Sequence, residues 1–281
     1  MERLLTQDLL SWKKNRNKKP LVLFGARQTG KTYLITEFGK NYYSNIVYFN
    51  FEGSPQLADI FKKDLNPARI LNELSAFSGS SILKGKTLIF FDEIQACAQA
   101  LTSLKYFCEW TEQYDIIAAG SLLGIVLNRK NYSFPVGKVD LLSLYPLNFK
   151  EFLLATKNEK LIDMIATAFE NDAPLSEPLH EKALDLYRIY LIVGGMPADV
   201  NEYLERKDFD YVRITQNAIY QNYIADMAKY STPADTVKTI AVYDSIPAQL
   251  AKENKKFQYR LIKSGARAST YESAMDWLKK A

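Results

Sequence analysis

The stretch Gly25-Ala26-Arg27-Gln28-Thr29-Gly30-Lys31-Thr32 follows the apolar run Pro20-Leu21-Val22-Leu23-Phe24 and is the strongest indication of the fold of this 281-residue chain. It matches the pattern G-x-x-x-x-G-K-[ST] of a phosphate-binding P-loop. The apolar run predicts a buried strand, and Tyr33 to Phe38 continues as a helix, so the required order of strand, loop and helix is present. This context disfavours a plain glycine turn with Lys31 in solvent.

The residue types in this loop suit a nucleoside triphosphate. Glycines allow backbone N–H groups to close around phosphate oxygens, and the following helix directs its positive end toward them. Lys31 would reach the β and γ oxygens, and the Thr32 hydroxyl would hold Mg²⁺. We predict nucleotide contacts from the whole loop and the next residue: Gly25, Ala26, Arg27, Gln28, Thr29, Gly30, Lys31, Thr32 and Tyr33.

A second apolar run, Thr87 to Phe91, ends in two acids, Asp92 and Glu93. This is typical of a Walker B strand, a buried parallel strand whose carboxyl end opens into a ligand crevice. We predict that Asp92 supports Mg²⁺ and that Glu93 is the general base for the attacking water. Taken alone, the two acids could also begin a solvent loop or cap a helix near Ile94; their position after the P-loop favours the site.

A third strand-like run, Asp115 to Gly120, ends in Ser121. We predict that Ser121 senses the γ-phosphate. From the local sequence, a serine that caps the following helix is an equally good interpretation. Only its place after the Walker B strand favours the sensor.

The composition indicates a soluble protein of more than one domain, with 47% hydrophobic and 24% charged residues. The first residues form no signal-peptide core, and no apolar run approaches the length of a membrane helix. Two cysteines, Cys97 and Cys108, do not suggest a disulfide framework. We therefore expect a cytoplasmic protein without a membrane segment.

The charge is uneven along the chain, whose net charge is +4. Residues 252–281 carry eight basic and three acidic residues, a net +5, so the remainder sums to −1. Such a basic segment suits double-stranded DNA, although surface lysines on a small helical domain give the same count. Both interpretations stay open.

The elements predict three units: an α/β P-loop domain over residues 1–155, a helical lid over 156–232 and a small unit over 233–281. Strands and helices alternate as far as Ser121, which argues for a parallel sheet with helices on both faces. Strand patterns cease near Phe149. We predict helices in the last unit at Pro233 to Tyr243, after a cap at Ser245, and at Thr270 to Lys280, an arrangement compatible either with a helix-turn-helix or with a helical domain that binds no DNA.

Taken together, these motifs resemble the bacterial and archaeal AAA+ ATPases that carry a C-terminal domain of unknown function, relatives of the archaeal ATPase and STAND groups. The resemblance covers the whole chain. Beyond the motifs above, it rests on Tyr145-Pro146-Leu147-Asn148-Phe149-Lys150-Glu151-Phe152, Gly194-Gly195-Met196-Pro197 and Trp277-Leu278.

The resemblance implies that Pro197 approaches the adenine from the lid and that the last unit is a winged helix. Relatives commonly carry Gly-Arg after the sensor strand; this chain has Gly137-Lys138, and Arg129 is the nearest arginine. Relatives also usually continue into a nuclease-like domain, which we expect to lie beyond Ala281.

Three functions remain open at this point. The first is an Mg²⁺-dependent ATPase. The second is a STAND-like switch, controlled by bound nucleotide and acting on a protein effector, with negligible turnover. The third is a DNA-binding regulator. The oligomeric state stays open in each case.

Overall fold

The computed structural model describes residues 1–121, 134–230, 232–253 and 256–280. Five parallel strands form one sheet in the order β2-β3-β4-β1-β5. The strands are β1 (Leu21–Phe24), β2 (Asn45–Asn50), β3 (Thr87–Asp92), β4 (Asp115–Ala119) and β5 (Asp140–Ser143).

Helices surround the sheet and form most of the chain after it. The first five are α1 (Leu5–Lys14), α2 (Lys31–Tyr42), α3 (Leu57–Lys62), α4 (Pro67–Ser78) and α5 (Ala98–Glu109). After the sheet come α6 (Phe149–Ala155), α7 (Glu159–Glu170), α8 (Glu177–Val193), α9 (Pro197–Arg206), α10 (Phe209–Tyr230), α11 (Pro233–Leu250) and α12 (Ala268–Lys280). Two 3₁₀ turns lie at Ile94–Ala96 and Tyr259–Leu261.

Both faces of the sheet are buried, and each strand contributes to both cores because successive side chains point to opposite sides. One face packs against α3, α4 and α5, and the other against α1 and α2. Helices on both faces of a parallel sheet were predicted, and the structure confirms them. The first face carries Val22, Val47, Phe49, Ile89, Phe91, Ile116 and Ala118, and the second carries Leu21, Leu23, Leu88, Phe90, Ile117 and Ala119.

The strand order brings the ends of three strands together. β3, β4 and β1 are neighbours, and all three run in the same direction. Their carboxyl ends therefore lie at one edge of the sheet, where open α/β sheets bind their ligands. The P-loop, the pair of acids and Ser121 each follow one of these strands.

The helical part has two smaller cores. The first joins α6, α8, α9 and α10 to the segment before α6, and the second joins α11 to α12. None of the helices in the described ranges is long and apolar enough to cross a membrane. The buried members are Leu147, Phe152, Val193, Val200 and Val212 in the first core and Val242, Tyr271 and Ala274 in the second.

One prediction in the last unit is wrong. Ser245 does not cap a new helix, because α11 continues unbroken from Pro233 to Leu250. The Ser245 hydroxyl donates to the carbonyl oxygen of Val242 at 2.7 Å, a bond to the preceding turn that a serine can make inside a helix. Pro247 is accommodated within α11.

Candidate functional site

The loop after β1 begins at Gly25, where only a glycine fits. Gly25 has a φ of +151°, and a Cβ atom on it would lie 2.3 Å from the carbonyl oxygen of Leu144. Leu144 follows β5, and its N–H group donates to the carbonyl oxygen of Phe24 at 2.8 Å. The P-loop therefore leaves the sheet pressed against the segment that follows β5.

The loop ends at Gly30, which is the N-cap of α2. Gly30 has a φ of +91°, a left-handed conformation that glycine adopts without strain. No side chain in the described part of the protein caps α2. The N–H groups of its first turn, which have no partners within a helix, are therefore available to an anion.

Lys31 is buried beneath the loop that it would serve. Its ammonium group donates to the carbonyl oxygens of Gly25 at 2.8 Å and Ala26 at 2.7 Å. Burial lowers the pKa of Lys31 to about 8, against the attraction of the Glu93 and Asp92 carboxylates. The side chain thus carries a poorly solvated charge close to the helix start, a setting in which a phosphate group would be a favourable partner.

Asp92 and Thr32 meet at the end of β3. The Thr32 hydroxyl donates to Oδ2 of Asp92 at 2.9 Å, and the Tyr48 hydroxyl donates to the same oxygen at 2.9 Å. Burial raises the pKa of Asp92 above its ordinary value, while these two hydrogen bonds oppose the shift. Tyr48 was not predicted, since a tyrosine within a strand gives no signal that its hydroxyl will reach a neighbouring carboxylate.

Glu93 and Ser121 also come together, although they follow different strands. The Ser121 hydroxyl donates to Oε2 of Glu93 at 3.3 Å, and the Gln95 amide donates to the same oxygen. Glu93 has a φ of 50° and a ψ of 42°. A left-handed conformation at a residue other than glycine costs about 1–3 kcal/mol and tends to occur at functional sites.

These side chains surround a single open cavity of about 470 Å³. Lys31, Glu93 and Ser121, the three predicted catalytic residues, all line it. Asp92 does not line the cavity but accepts a hydrogen bond from Thr32, which does. The predicted contacts Gly25, Ala26 and Thr29 belong to the loop but are not part of the cavity wall. The wall consists of Arg27, Gln28, Gly30, Lys31, Thr32, Tyr33, Glu52, Glu93 and Ser121.

Two domain families match the chain. Residues 17–153 match a family described as "AAA domain", and residues 184–281 match a "Domain of unknown function (DUF8612)". The first match contains the whole sheet and the cavity. This chain contains an AAA domain followed by a domain of unknown function.

A curated archaeal protein is similar to part of this chain. The uncharacterized protein MJ1637 of Methanocaldococcus jannaschii is 25% identical over 179 residues, which cover 60% of this chain and 35% of that protein. The matched part is thus about a third of the length of this curated relative.

A solved archaeal structure shares the fold of this chain. The Walker-type ATPase PABY2304 of Pyrococcus abyssi superimposes with a TM-score of 0.55 at 15% identity, over 98% of this chain and 87% of that one. The ORC2 protein of Aeropyrum pernix, solved as ADPNP and ADP complexes, gives a TM-score of 0.47 at 13% identity, over 99% and 86% of the two chains.

A buried arginine that precedes the AAA domain was not predicted from the sequence. Arg3 pairs with Glu151 at 3.0 Å, and it also donates to the backbone oxygens of Thr29, at 2.8 Å, and Tyr145. Glu151 is itself part of a capping box with Asn148 at the start of α6. One guanidinium therefore joins the N-terminal segment, the P-loop and α6. An arginine next to the N-terminus carries no pattern that would reveal this.

Pro197, at the start of α9, lies next to Gly30 at the end of the P-loop. A Cβ atom on Gly30 would be 3.6 Å from Cγ of Pro197. The two residues share a second cavity of about 380 Å³. Its walls are Met1, Arg3, Gly30, Tyr33, Leu147, Pro197 and Asn201.

Gly195 fixes the position of this turn. A Cβ atom on Gly195 would lie 2.2 Å from the carbonyl oxygen of Leu147, and the Leu147 N–H group donates to the carbonyl oxygen of Gly195 at 2.7 Å. The Tyr190 hydroxyl donates to the same Leu147 oxygen at 2.8 Å. The segment after β5 is therefore pressed between two glycines, Gly25 of the P-loop and Gly195 of the turn before α9.

Lys138 stands where the resemblance implies an arginine, and it forms an ion pair away from the cavity lining. Lys138 pairs with Glu109 of α5 at 2.9 Å, and both side chains are exposed. Arg129, the nearest arginine in sequence, lies outside the described residues, as do the residues that follow Ser121.

Proposed function

We propose that this AAA protein binds Mg·ATP and hydrolyses its β–γ phosphoanhydride bond. The observation that carries the proposal is the convergence on one cavity of residues that follow three separate strands: Lys31, Glu93 and Ser121. In this proposal Lys31 holds the β and γ oxygens and Ser121 contacts the γ-phosphate. Both act by positioning and by charge, which supply most of the catalysis in phosphoryl transfer.

Thr32 and Asp92 are suited to a magnesium ion. A hydroxyl and a carboxylate are the hard oxygen ligands that Mg²⁺ prefers, and here they are 2.9 Å apart. When bound with ATP, the ion neutralises charge on the β and γ oxygens. The hydrogen bond from Tyr48 fixes the orientation of the Asp92 carboxylate, as outer-shell partners do at metal sites.

Glu93 is the proposed general base. It follows the strand that ends in Asp92, lines the cavity and accepts hydrogen bonds from Gln95 and Ser121 at Oε2. These bonds hold the carboxylate in place, and a carboxylate in this position can accept a proton from the attacking water.

The second cavity is the proposed site of the nucleotide base. It adjoins the phosphate cavity, because Gly30 and Tyr33 line both. Pro197 and Leu147 give it apolar walls, which suit a planar ring. The resemblance to AAA+ proteins favours adenine.

Phosphate release from Mg·ATP, measured for the wild type and for Glu93→Gln, tests the proposal. We expect the substitution to lower turnover by about 10²–10⁴-fold, the usual contribution of a general base, while ATP affinity stays within about threefold. Gln99→Glu, at an exposed position near the start of α5, is the control: it exchanges the same two residue types outside the cavity and should leave turnover unchanged. Equal turnover in wild type and Glu93→Gln would remove Glu93 from this role.

The nucleotide-controlled switch is a second candidate, favoured by direct contacts between α10 and the P-loop. The Tyr223 hydroxyl donates to the carbonyl oxygen of Arg27 at 2.8 Å, and Asp226 pairs with the Arg27 side chain at 2.8 Å. Nucleotide that co-purifies with the protein and leaves very slowly, together with negligible turnover, would favour the switch over the ATPase.

Coupling to double-stranded DNA through residues 233–281 remains a prediction based on charge. A mobility shift with duplex DNA that weakens steeply as salt rises would support it. The absence of binding at low salt would count against it.

A further inference from the structure

Helix α10 contacts the P-loop at Arg27, the third residue of the loop. Nη1 of Arg27 lies 2.8 Å from Oδ1 of Asp226, and only 7% of the Asp226 side chain is exposed. The Tyr223 hydroxyl, one turn earlier on α10, donates to the backbone oxygen of Arg27 at 2.8 Å. A helix almost 200 residues downstream therefore holds both the backbone and the side chain of this loop residue.

A second ion pair joins α10 to the opposite wall of the phosphate cavity. Lys229 pairs with Glu52 at 2.8 Å, and Glu52 follows β2 and lines the cavity. Both side chains are about half exposed, so this pair contributes little to stability by itself. It does place the end of α10 beside Glu52, one of the residues that line the cavity.

On its other side, Arg27 contacts the proposed catalytic residues. Nε of Arg27 donates to the Ser121 hydroxyl at 3.2 Å, and that hydroxyl donates to Glu93 at 3.3 Å. The guanidinium also lines the cavity, and 28% of its side chain is exposed. A continuous chain of polar contacts thus runs from Glu93 through Ser121 and Arg27 to Asp226.

We propose that Arg27 is a positioning residue for the terminal phosphate of ATP, and that this phosphate competes with Asp226 for its guanidinium. The inference rests on the proposed function, since it places the γ-phosphate in the cavity beside Ser121. A guanidinium matches the geometry of a phosphate with two parallel hydrogen bonds, and a phosphate carries more charge than one carboxylate.

The competition gives α10 two positions. When Arg27 turns to phosphate, Asp226 is left as a buried carboxylate without its cation, a state that is unfavourable. A movement of α10 that exposes Asp226 to water would remove the cost of this buried, unpaired charge. ADP lacks the terminal phosphate and leaves the Arg27–Asp226 pair intact. Because α10 lies in the part that matches the domain of unknown function, that domain would respond to whether ATP or ADP is bound.

Equilibrium titration with Mg·AMPPNP and Mg·ADP tests the competition. Asp226→Asn removes the competitor, so we expect AMPPNP affinity to rise about tenfold while ADP affinity changes less than about twofold. Arg27→Gln removes the phosphate contact, so AMPPNP affinity falls about tenfold with ADP affinity again unchanged. Arg27→Lys keeps the charge and restores part of the difference. Asp210→Asn, at the exposed start of α10, is the control for loss of one negative charge from this helix.

Hydrogen exchange of the wild type provides a test that requires no variant. We expect AMPPNP, but not ADP, to increase amide exchange in the second half of α10. If α10 exchanges identically in both complexes, or if Asp226→Asn and Arg27→Gln change AMPPNP and ADP affinity by equal factors, the competition is overturned. Failure of the wild type to bind either nucleotide would instead overturn the proposed function.

Discussion

The sheet and the helices that follow it are held in place by different kinds of contact. Every residue of β3 and β4 is buried, and both faces of the sheet have a continuous apolar core. In α7 only Leu161 is buried, and Phe169 of that helix is 88% exposed. The sheet is stabilised mainly by its own core, whereas the helical part owes its position to a few specific contacts with loops of the sheet domain.

Those contacts lie around the P-loop. Arg3 joins the loop to α6, Gly195 packs closely against the segment after β5, and Arg27 binds α10. If this contrast is correct, single substitutions at these contacts will have effects far larger than substitutions of equally polar residues elsewhere.

The largest effect is expected for Arg3→Met. The substitution leaves Glu151 buried without its cation, and loss of one partner of a buried ion pair costs about 3–5 kcal/mol. Arg188→Met is the control, because the Arg188–Asp185 pair is exposed and contributes at most about 0.5 kcal/mol. Urea unfolding measures both. Equal losses in the two variants would contradict the contrast.

Lys31→Ala tests the phosphate site that the P-loop of the sheet domain is proposed to form. We expect ATP affinity to fall at least about a hundredfold, or roughly 2.7 kcal/mol, because the cation beside the helix start is lost. Lys40→Ala removes an exposed lysine from the same helix and should leave affinity unchanged. Calorimetric titration distinguishes them, and comparable affinities in the two variants would show that the phosphates bind elsewhere.

Gly195→Ala tests the contact between the turn before α9 and the segment after β5. Its Cβ would meet the Leu147 carbonyl oxygen at 2.2 Å, which the backbone can relieve only by moving, and overpacking of this kind costs about 1–3 kcal/mol. At Gly53, the nearest atom to an added Cβ is a side-chain oxygen of Asn50 at 3.3 Å. Gly53→Ala should therefore have a smaller effect on the melting temperature, and the reverse order would contradict the packing described.

The smallest effect is a pH dependence of binding. Above about pH 8 the nucleotide-free protein loses the Lys31 proton, whereas bound phosphate raises the pKa of this lysine and keeps it charged. ATP affinity should therefore fall above pH 8, by at most about tenfold per pH unit, with uptake of one proton per ATP. The charged groups that act on Lys31 are Glu93, Asp92 and Arg27.

Titration in two buffers of different ionisation enthalpy, at pH 7 and pH 9, measures this proton. Lys31→Ala should take up none at either pH. An affinity that does not change between pH 7 and 9 would show that Lys31 remains charged before ATP binds.

The same contrast explains what the sequence could predict. Strand runs such as Thr87 to Phe91 are apolar because both sheet faces are buried, so the local pattern was enough to predict the α/β architecture and the positions of Lys31, Asp92 and Glu93 beside strand ends. The roles of these three residues stay predictions. For Ser121 the local sequence was equally consistent with a helix cap. The structure places this residue after β4, the strand between β3 and β1.

The remaining contacts depend on residues far apart in sequence. Arg3 and Glu151 are 148 positions apart, and Arg27 and Asp226 almost 200. No periodicity links such pairs. The cap predicted at Ser245 was wrong because a serine hydroxyl can bond either to the next turn or to the preceding one, and here it bonds to the preceding turn.

A crystal structure of the chain with Mg²⁺ and AMPPNP tests the central claim most directly. We predict phosphates over the P-loop, the Lys31 ammonium on the β and γ oxygens rather than on the Gly25 and Ala26 carbonyls, Thr32 and Asp92 at the metal, and Glu93 facing the γ-phosphate. A nucleotide bound outside this cavity, or a bound nucleotide with Lys31 still on those two carbonyl oxygens, would contradict the account.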